Sequence, residues 1–143
     1  EQIIASMKLQ KADQFTTIHN YIETKQMILR KGAVSAQKNE KIIIPLNMRD
    51  GSLICIGKGN KEWNYSAPHG AGRVLSRREA RRVLELQQYK KMMKDIFTTS
   101  VNKGSIDESP LAYKPFTQIV ESIGDTVDVV ERIVPLYNFK AAE

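Results

Sequence analysis

Two apolar segments joined by a short polar connection constrain the fold of this chain more than any other feature. The first, residues 41–45, contains three consecutive isoleucines and ends at a proline, which cannot donate a hydrogen bond inside a sheet. The second, residues 52–57, is also apolar, and the Asp-Gly pair within residues 49–51 favours a tight turn. The pattern therefore predicts two paired strands in an antiparallel hairpin.

A longer helix is predicted to begin after Ser76. Ser76 and Glu79 have the spacing of a capping box, in which each side chain bonds the backbone N–H of the other residue. Apolar residues recur at helical spacing as far as Phe97. The predicted buried stripe comprises Ala80, Val83, Leu84, Met92, Met93, Ile96 and Phe97. We expect one continuous helix from Arg77 to about Phe97.

The remaining segments mix helical and extended patterns. Residues 2–14 have a moderate helical pattern, and Pro115 suits the first turn of a helix ending near Ile123. Residues 26–30 read as a short strand followed by a turn at Lys31-Gly32, and residues 126–140 as strand or extended chain interrupted by Pro135. We therefore expect a single α+β domain over residues 1–143, with a mixed sheet and flanking helices.

Composition narrows the class of protein and the kind of partner. The 143 residues are 41% hydrophobic and 27% charged, as in a globular domain, and contain no apolar run long enough to cross a membrane. The single Cys55 excludes an internal disulfide and favours a cytoplasmic setting. A net charge of +6 favours a polyanionic partner, although basic side chains also serve solubility. The basic residues cluster at Arg73, Arg77, Arg78, Arg81, Arg82, Lys90, Lys91 and Lys94.

One segment combines residue types suited to phosphate binding and to nucleophilic attack: Ser66-Ala67-Pro68-His69-Gly70-Ala71-Gly72-Arg73. Its two glycines allow close approach of the backbone to a ligand, and exposed N–H groups there can form an anion-binding nest. Arg73 adds a planar cation suited to phosphate oxygens. A histidine among such groups can attack a phosphoryl centre through an imidazole nitrogen. Local chemistry alone leaves His69 open between a nucleophile and an ordinary loop residue.

The wider motif set resembles the RtcB family of GTP- and manganese-dependent RNA ligases. It comprises residues 64–77 (NYSAPHGAGRVLSR), Ile18-His19-Asn20, Arg30 to Ala33 (RKGA) and Tyr137 to Lys140 (YNFK). The match runs from about His19 to Lys140 and corresponds to the C-terminal part of the longer family members. The resemblance implies that a guanylylated histidine passes its guanylate to an RNA 3′-phosphate, which an RNA 5′-hydroxyl then attacks. The implied substrates are tRNA halves or broken RNA ends.

The resemblance also assigns roles residue by residue. It implies that His69 is the guanylylated residue and that His19 binds manganese beside the nucleotide. Asn47 stands where some family members carry serine, which changes the reach of its hydrogen-bonding side chain. The implied nucleotide contacts are His19, Asn20, Pro45, Leu46, Asn47, Met48, Ser52, His69, Gly70, Ala71, Gly72, Tyr113 and Lys140. The implied phosphate or RNA contacts are Lys31, Arg73 and Arg77.

The metal site implied by the resemblance is incomplete in this chain. His19 and His69 are the two histidines of the sequence, and the other metal ligands of the family come from a region absent here. We therefore expect a fragment of a longer protein, a naturally short relative, or a site completed by a missing N-terminal portion or a second chain. The start at Glu1 without Met favours a fragment. A non-catalytic portion that binds guanine nucleotide or RNA, and a structural fragment, stay open as alternatives.

Overall fold

Short helices and strands alternate along residues 2–140, the part of the chain that the computed structural model describes. Its helices are α1 (Gln2–Ser6), α2 (Arg77–Val83), α3 (Leu86–Met92) and α4 (Phe116–Ile123). Its strands are β1 (His19–Glu23), β2 (Ile28–Ser35), β3 (Lys41–Pro45), β4 (Ser52–Gly57), β5 (Ser66–Pro68), β6 (Phe97–Thr98), β7 (Val127–Ile133) and β8 (Tyr137–Asn138). The predicted α+β class is confirmed.

The predicted hairpin forms and organises the larger hydrophobic core. β3 and β4 pair antiparallel from Lys41 opposite Ile56 to Pro45 opposite Ser52, and β7 pairs antiparallel with the other edge of β4. Helix α4 buries Ile119 and Ile123 in the same core. Cys55 lies fully buried there, and burial raises the pKa of its thiol to about 11. The thiol is therefore a packing group of the core.

A second sheet carries the two histidines. β2 pairs antiparallel with β1 on one side and with β5 on the other. His19 is the first residue of β1, and His69 directly follows β5. The two histidines are far apart in the sequence, and the central strand β2, which pairs with both β1 and β5, brings them to the same end of the sheet.

The turn predicted at Lys31-Gly32 is wrong, because β2 continues through both residues. His19 lies opposite Val34, but Tyr21 lies opposite Arg30, so the ladder shifts register between them. Gly32 has a φ of +68°, a left-handed conformation that glycine adopts without a steric penalty. The glycine therefore marks a bulge inside a strand, not its end.

The predicted continuous helix is divided into α2 and α3. Leu84 and Glu85 have extended backbone angles, which separate the two helices. The break turns the second helix so that Tyr89 is fully buried and donates a hydrogen bond to the Met48 sulfur at 2.9 Å. Val83 and Phe97, expected in the buried stripe, are exposed instead. The capping box of Ser76 and Glu79 is confirmed.

The remaining elements are short. Helix α1 spans five residues, fewer than the helical pattern over residues 2–14 predicted. β6 and β8 form a two-stranded parallel sheet that ties the C-terminal segment to the end of the α3 region. None of the helices found in residues 2–140 has the length and apolar character needed to cross a lipid bilayer.

Candidate functional site

A cleft of about 740 Å³ opens between the β3–β4 connection, the loop after β5 and the C-terminal segment. Most residues that the sequence proposed for nucleotide or phosphate binding line it. They are His19, Pro45, Leu46, Asn47, Met48, Ser52, His69, Gly70, Ala71, Gly72, Arg73, Arg77, Tyr113 and Lys140. The fold therefore gathers into one cavity residues that span more than a hundred positions of the sequence.

Backbone hydrogen bonds hold the loop after β5 against the hairpin. The N–H of His69 donates to the carbonyl of Gly32 at 3.3 Å, and the N–H of Ala71 donates to the carbonyl of Pro45 at 3.0 Å. A Cβ atom at Gly70 would lie only 3.1 Å from that Pro45 oxygen. Gly72 has a φ of +70°. The left-handed conformation favours glycine at position 72, and the close Pro45 carbonyl favours it at position 70.

The two histidine rings stack at the cleft. Their centroids are 5.3 Å apart and their planes differ by 23°. Gly32 packs against the His69 ring, since a Cβ there would lie 3.6 Å from Nδ1 of His69. His69 is exposed, so its imidazole is accessible to a ligand in the cleft.

Two of the proposed residues do not line the cleft. Asn20 uses its side-chain oxygen to accept a hydrogen bond from the N–H of Gly32 at 2.7 Å, so it supports the backbone behind His69. Lys31 lines a separate cavity of about 360 Å³ with Trp63. The structure therefore places Asn20 behind the histidine pair and Lys31 on another surface.

The β3–β4 connection forms the opposite wall. The side-chain oxygen of Asn47 accepts hydrogen bonds from the N–H groups of Arg49 and Asp50, and its amide donates to the Asp50 carboxylate at 2.8 Å. Arg132 also donates to that carboxylate at 3.1 Å. Burial by itself raises the pKa of Asp50, but the bonds from Arg49 and Asn47 and the charges of Arg49 and Arg132 outweigh it and lower the pKa. An ionised Asp50 therefore fixes this wall.

Replacing Asp50 with asparagine should destabilise the fold by roughly 1–3 kcal/mol at neutral pH, because the variant loses charge-assisted hydrogen bonds. A carboxyl whose pKa is lower in the folded state than its ordinary 3.8 stabilises fully above that value and progressively less as the pH falls below it. The stability difference between wild type and Asp50→Asn should therefore shrink in acid. Urea unfolding of both proteins across pH measures this, and a difference that grows as the pH falls would contradict the ionised state.

Glu108, which sequence reasoning missed, lies at the centre of the third wall of the cleft. Its carboxylate contacts the charged and phenolic side chains there. It accepts a hydrogen bond from the Tyr113 hydroxyl at 2.8 Å and pairs with Lys140 at 3.2 Å and with Arg73 and Arg77 at 3.6 Å. Burial raises the pKa of Glu108, but the bond from Tyr113 and the charge of Lys140 outweigh it and lower the pKa. Burial and the bond to Glu108 raise the pKa of Tyr113 to about 12, so its hydroxyl stays protonated. The sequence signal was the Asp107-Glu108 pair in a loop of small polar residues.

Arg73 is largely engaged with protein acceptors. Its guanidinium donates to the carbonyls of Leu75 and Asp107 and to the hydroxyl of Tyr113, and it lies 4.8 Å above the Tyr113 ring. These contacts hold the loop after β5 against the segment that carries Glu108. Other lining residues that sequence reasoning missed are Gly51, Ile133, Pro135 and Asn138.

The described residues do not furnish a complete manganese site. Manganese takes several oxygen and imidazole ligands. Residues 2–140 contain no group of three or more His, Cys, Asp or Glu side chains placed to hold a metal ion. Within residues 2–140, His19 and His69 stack on each other with no third such side chain placed to complete a metal site, and Cys55 is buried in the core. A complete shell would need ligands from outside these residues.

Comparisons with known proteins identify the family of the chain. The family model described as tRNA-splicing ligase RtcB matches residues 2–141. The RNA-splicing ligase RtcB of Escherichia coli K12 is 35% identical over 118 residues, which cover 78% of this chain and 29% of the relative. The tRNA-splicing ligase RtcB of Aeropyrum pernix is 33% identical over 115 residues, covering 68% of this chain and 24% of the relative. The chain thus spans less than a third of either relative, and it belongs to the RtcB family.

Proposed function

We propose that this chain forms the nucleotide-binding and guanylate-accepting part of an RNA ligase. The reaction joins an RNA 3′-phosphate, or 2′,3′-cyclic phosphate, to a 5′-hydroxyl, as in tRNA splicing and RNA repair. One observation carries the proposal: the exposed imidazole of His69 stands in a single cleft with most of the residues proposed for guanylate binding. The names of the relatives, which are RNA-splicing and tRNA-splicing ligases, support the same reaction class.

His69 performs the covalent chemistry in this proposal. A nitrogen of its imidazole attacks the α-phosphorus of GTP, a P–N bond forms, and the P–O bond to pyrophosphate breaks. An oxygen of the RNA 3′-phosphate then attacks the guanylate phosphorus, and the P–N bond to His69 breaks; a 2′,3′-cyclic phosphate end is first opened by water to the 3′-phosphate. Attack by the RNA 5′-hydroxyl on that activated phosphate forms the new phosphodiester and releases GMP. Each step exchanges one bond at phosphorus for another, and GTP supplies the driving force.

The cleft walls position the nucleotide. The close passage of Gly70 along the Pro45 carbonyl and the left-handed conformation of Gly72 bring backbone to the ligand beside His69. Lys140 and Tyr113, both held by Glu108, present an ammonium group and an aromatic ring on the other side. His19 is proposed as one ligand of a manganese site whose remaining ligands lie outside residues 2–140.

A chimera tests the proposed function. This chain would replace the segment of the Escherichia coli relative that it matches, so that the rest of the relative completes the site. With GTP and manganese, the chimera should join an RNA bearing a 3′-phosphate to one bearing a 5′-hydroxyl, as seen by denaturing electrophoresis. A chimera that folds and binds GTP but leaves both RNAs unjoined would contradict the proposal.

A second candidate function is binding without catalysis. The lack of a metal shell within residues 2–140 favours it for the chain acting alone. In that case the isolated chain binds GTP, and no covalent label forms on His69 when α-labelled GTP and manganese are added. A covalent label on the isolated chain would rule out this alternative.

A further inference from the structure

The cavity of about 360 Å³ that contains Trp63 lies apart from the cleft, and among the described residues the two share no lining residue. We call it the Trp63 cavity. Apolar residues of β2 and β5 form most of its wall, together with Ser122 of α4. Trp63 is the single tryptophan of the chain, and it is 56% exposed. The proposed function assigns no ligand to this cavity.

Hydrogen bonds hold the short helix that ends at Trp63. It is a single 3₁₀ turn, Lys61–Trp63, and the side-chain oxygen of Asn60 accepts from the N–H of Glu62 at 2.9 Å. The amide of Asn60 also donates to the carbonyl of Asp125 at 3.0 Å. These bonds tie the turn to the segment between α4 and β7. An exposed indole on an anchored turn is a rigid surface for a ligand.

The backbone after Trp63 is strained and is held by a buried arginine. Asn64 and Tyr65 have φ of +49° and +51°, a left-handed conformation that is unusual for a residue as bulky as tyrosine. The buried guanidinium of Arg30 donates to the carbonyls of both residues, at 3.4 Å and 3.3 Å, and to the Ser66 hydroxyl at 3.0 Å. Strain that the surrounding structure maintains in this way is typical of functional segments.

The lining of the Trp63 cavity combines apolar surface with positive charge. Leu29 is exposed and lines the cavity together with Pro68. The charged side chains among its described lining residues are those of Arg30, which is buried, and Lys31, which is exposed. This combination fits a flat ring joined to an anionic group, because the indole offers a face for stacking and the positive charges attract the anion.

The Trp63 cavity lies close to His69. Pro68 lines the cavity and directly precedes His69 in the sequence. Gly32 also lines it, and a Cβ there would lie 3.6 Å from Nδ1 of His69. A ligand in the cavity is therefore near the histidine to which the proposed function brings RNA ends.

We infer that the Trp63 cavity binds a base of the RNA substrate, which stacks on the indole of Trp63. The inference rests on the proposed function for its choice of RNA. Every base has a π-face, so stacking holds the strand without selecting its sequence. The contact also differs from phosphate binding, because its strength does not come from the release of counterions.

The fluorescence of Trp63 reports this contact directly, since the chain has no other tryptophan. The whole chain would be titrated with an oligouridylate and with an oligomer of the same length that keeps the sugars and phosphates but lacks the bases. The oligouridylate should quench the fluorescence saturably, and the abasic oligomer should not. Equal quenching by the two oligomers, or no saturable quenching by the oligouridylate, would overturn the inference.

Substitutions measure the strength of the contact. Trp63→Ala should weaken binding of a fluorescein-labelled oligouridylate, followed by anisotropy, by roughly 5- to 150-fold, the range expected for one stacked base. The slope of log affinity against log salt should not change, because no phosphate contact is removed. Trp63→Phe, which keeps an aromatic face, should retain most of the affinity. A lower salt slope in Trp63→Ala would contradict base stacking.

Phe97→Ala is the matched control for Trp63→Ala. Phe97 is 73% exposed and lines neither the cleft nor the Trp63 cavity, so its removal deletes an exposed aromatic ring elsewhere on the surface. The Phe97→Ala variant should bind the oligouridylate as wild type does. Equal losses of affinity in the two variants would overturn the inference.

Titration with GTP distinguishes the two sources of a base. The inference expects GTP to leave the fluorescence of Trp63 unchanged, because the proposed nucleotide site is the cleft. If GTP quenches Trp63 and the oligouridylate does not, the cavity binds the nucleotide and the inference fails. If the oligouridylate stacks on Trp63 but the chain does not bind GTP, the inference holds and the proposed guanylate chemistry fails.

Discussion

His69→Ala in the chimera should abolish covalent guanylylation. The substitution removes the imidazole nitrogen that accepts the α-phosphate, and alanine offers no replacement nucleophile, so we expect labelling to fall by at least about 10³-fold. The measurement is incubation with α-labelled GTP and manganese, followed by denaturing electrophoresis and peptide mapping. In wild type the label should map to a peptide that contains His69.

The folding control for His69→Ala is its thermal unfolding midpoint. His69 is exposed, so its removal should cost little stability and the midpoint should stay close to that of wild type. A label that persists in a folded His69→Ala variant would show that another residue accepts the guanylate. Peptide mapping of that label would identify the residue.

Gly51→Ala should be among the most destabilising single substitutions in the chain. Gly51 has a φ of +78°, and a Cβ there would lie 1.9 Å from the Ile133 carbonyl oxygen and 3.1 Å from Pro135. The left-handed conformation costs about 1–2 kcal/mol with a side chain, and displacing packed backbone adds about 1–3 kcal/mol. We therefore expect a total loss of roughly 2–5 kcal/mol, measured by urea unfolding. The backbone displacement that makes room for the added Cβ would also move Ile133 and Pro135, which line the cleft.

Gly124→Ala is the matched control for Gly51→Ala. Gly124 has right-handed helical angles at the end of α4, and a Cβ there would meet no atom within 4 Å. Alanine should leave stability unchanged or raise it by up to about 1 kcal/mol, because it restricts the unfolded chain. Equal losses of stability from the two substitutions would show that the close approach of the Ile133 carbonyl is not the reason for glycine at position 51.

Local sequence patterns predicted the features that depend on neighbouring residues. The hairpin of β3 and β4 follows from two apolar runs and an Asp-Gly pair, and the start of α2 follows from the reciprocal bonds of Ser76 and Glu79. Both depend on residues close together in the chain. The structure forms them where the patterns placed them.

Features that depend on distant partners were predicted poorly. The helix break at Leu84 and Glu85 is stabilised by burial of Tyr89 against Met48, and helical periodicity contains no information on that partner. The bulge at Gly32 lies against His69, which belongs to the loop after β5. In both cases tertiary packing overrides the local pattern.

The candidate site was predicted in part for the same reason. The resemblance supplied most of the residues that line the cleft. A family motif identifies such residues from the sequence alone, without knowledge of their positions in the folded structure. It did not indicate Glu108, whose partners Arg73, Tyr113 and Lys140 come together only in the folded chain. It also did not show that Asn20 supports Gly32 from behind and that Lys31 faces another cavity.

The most direct test of the central claim is an NMR titration of this chain with GTP. If the cleft binds the nucleotide against His69, saturable shifts should appear in the backbone amides of Gly70, Ala71 and Gly72 and in Asn47 across the cleft. ATP should produce weaker shifts at the same positions. The absence of saturable shifts at these residues, or shifts confined to surfaces away from the cleft, would contradict the claim that this cleft is the guanine nucleotide site.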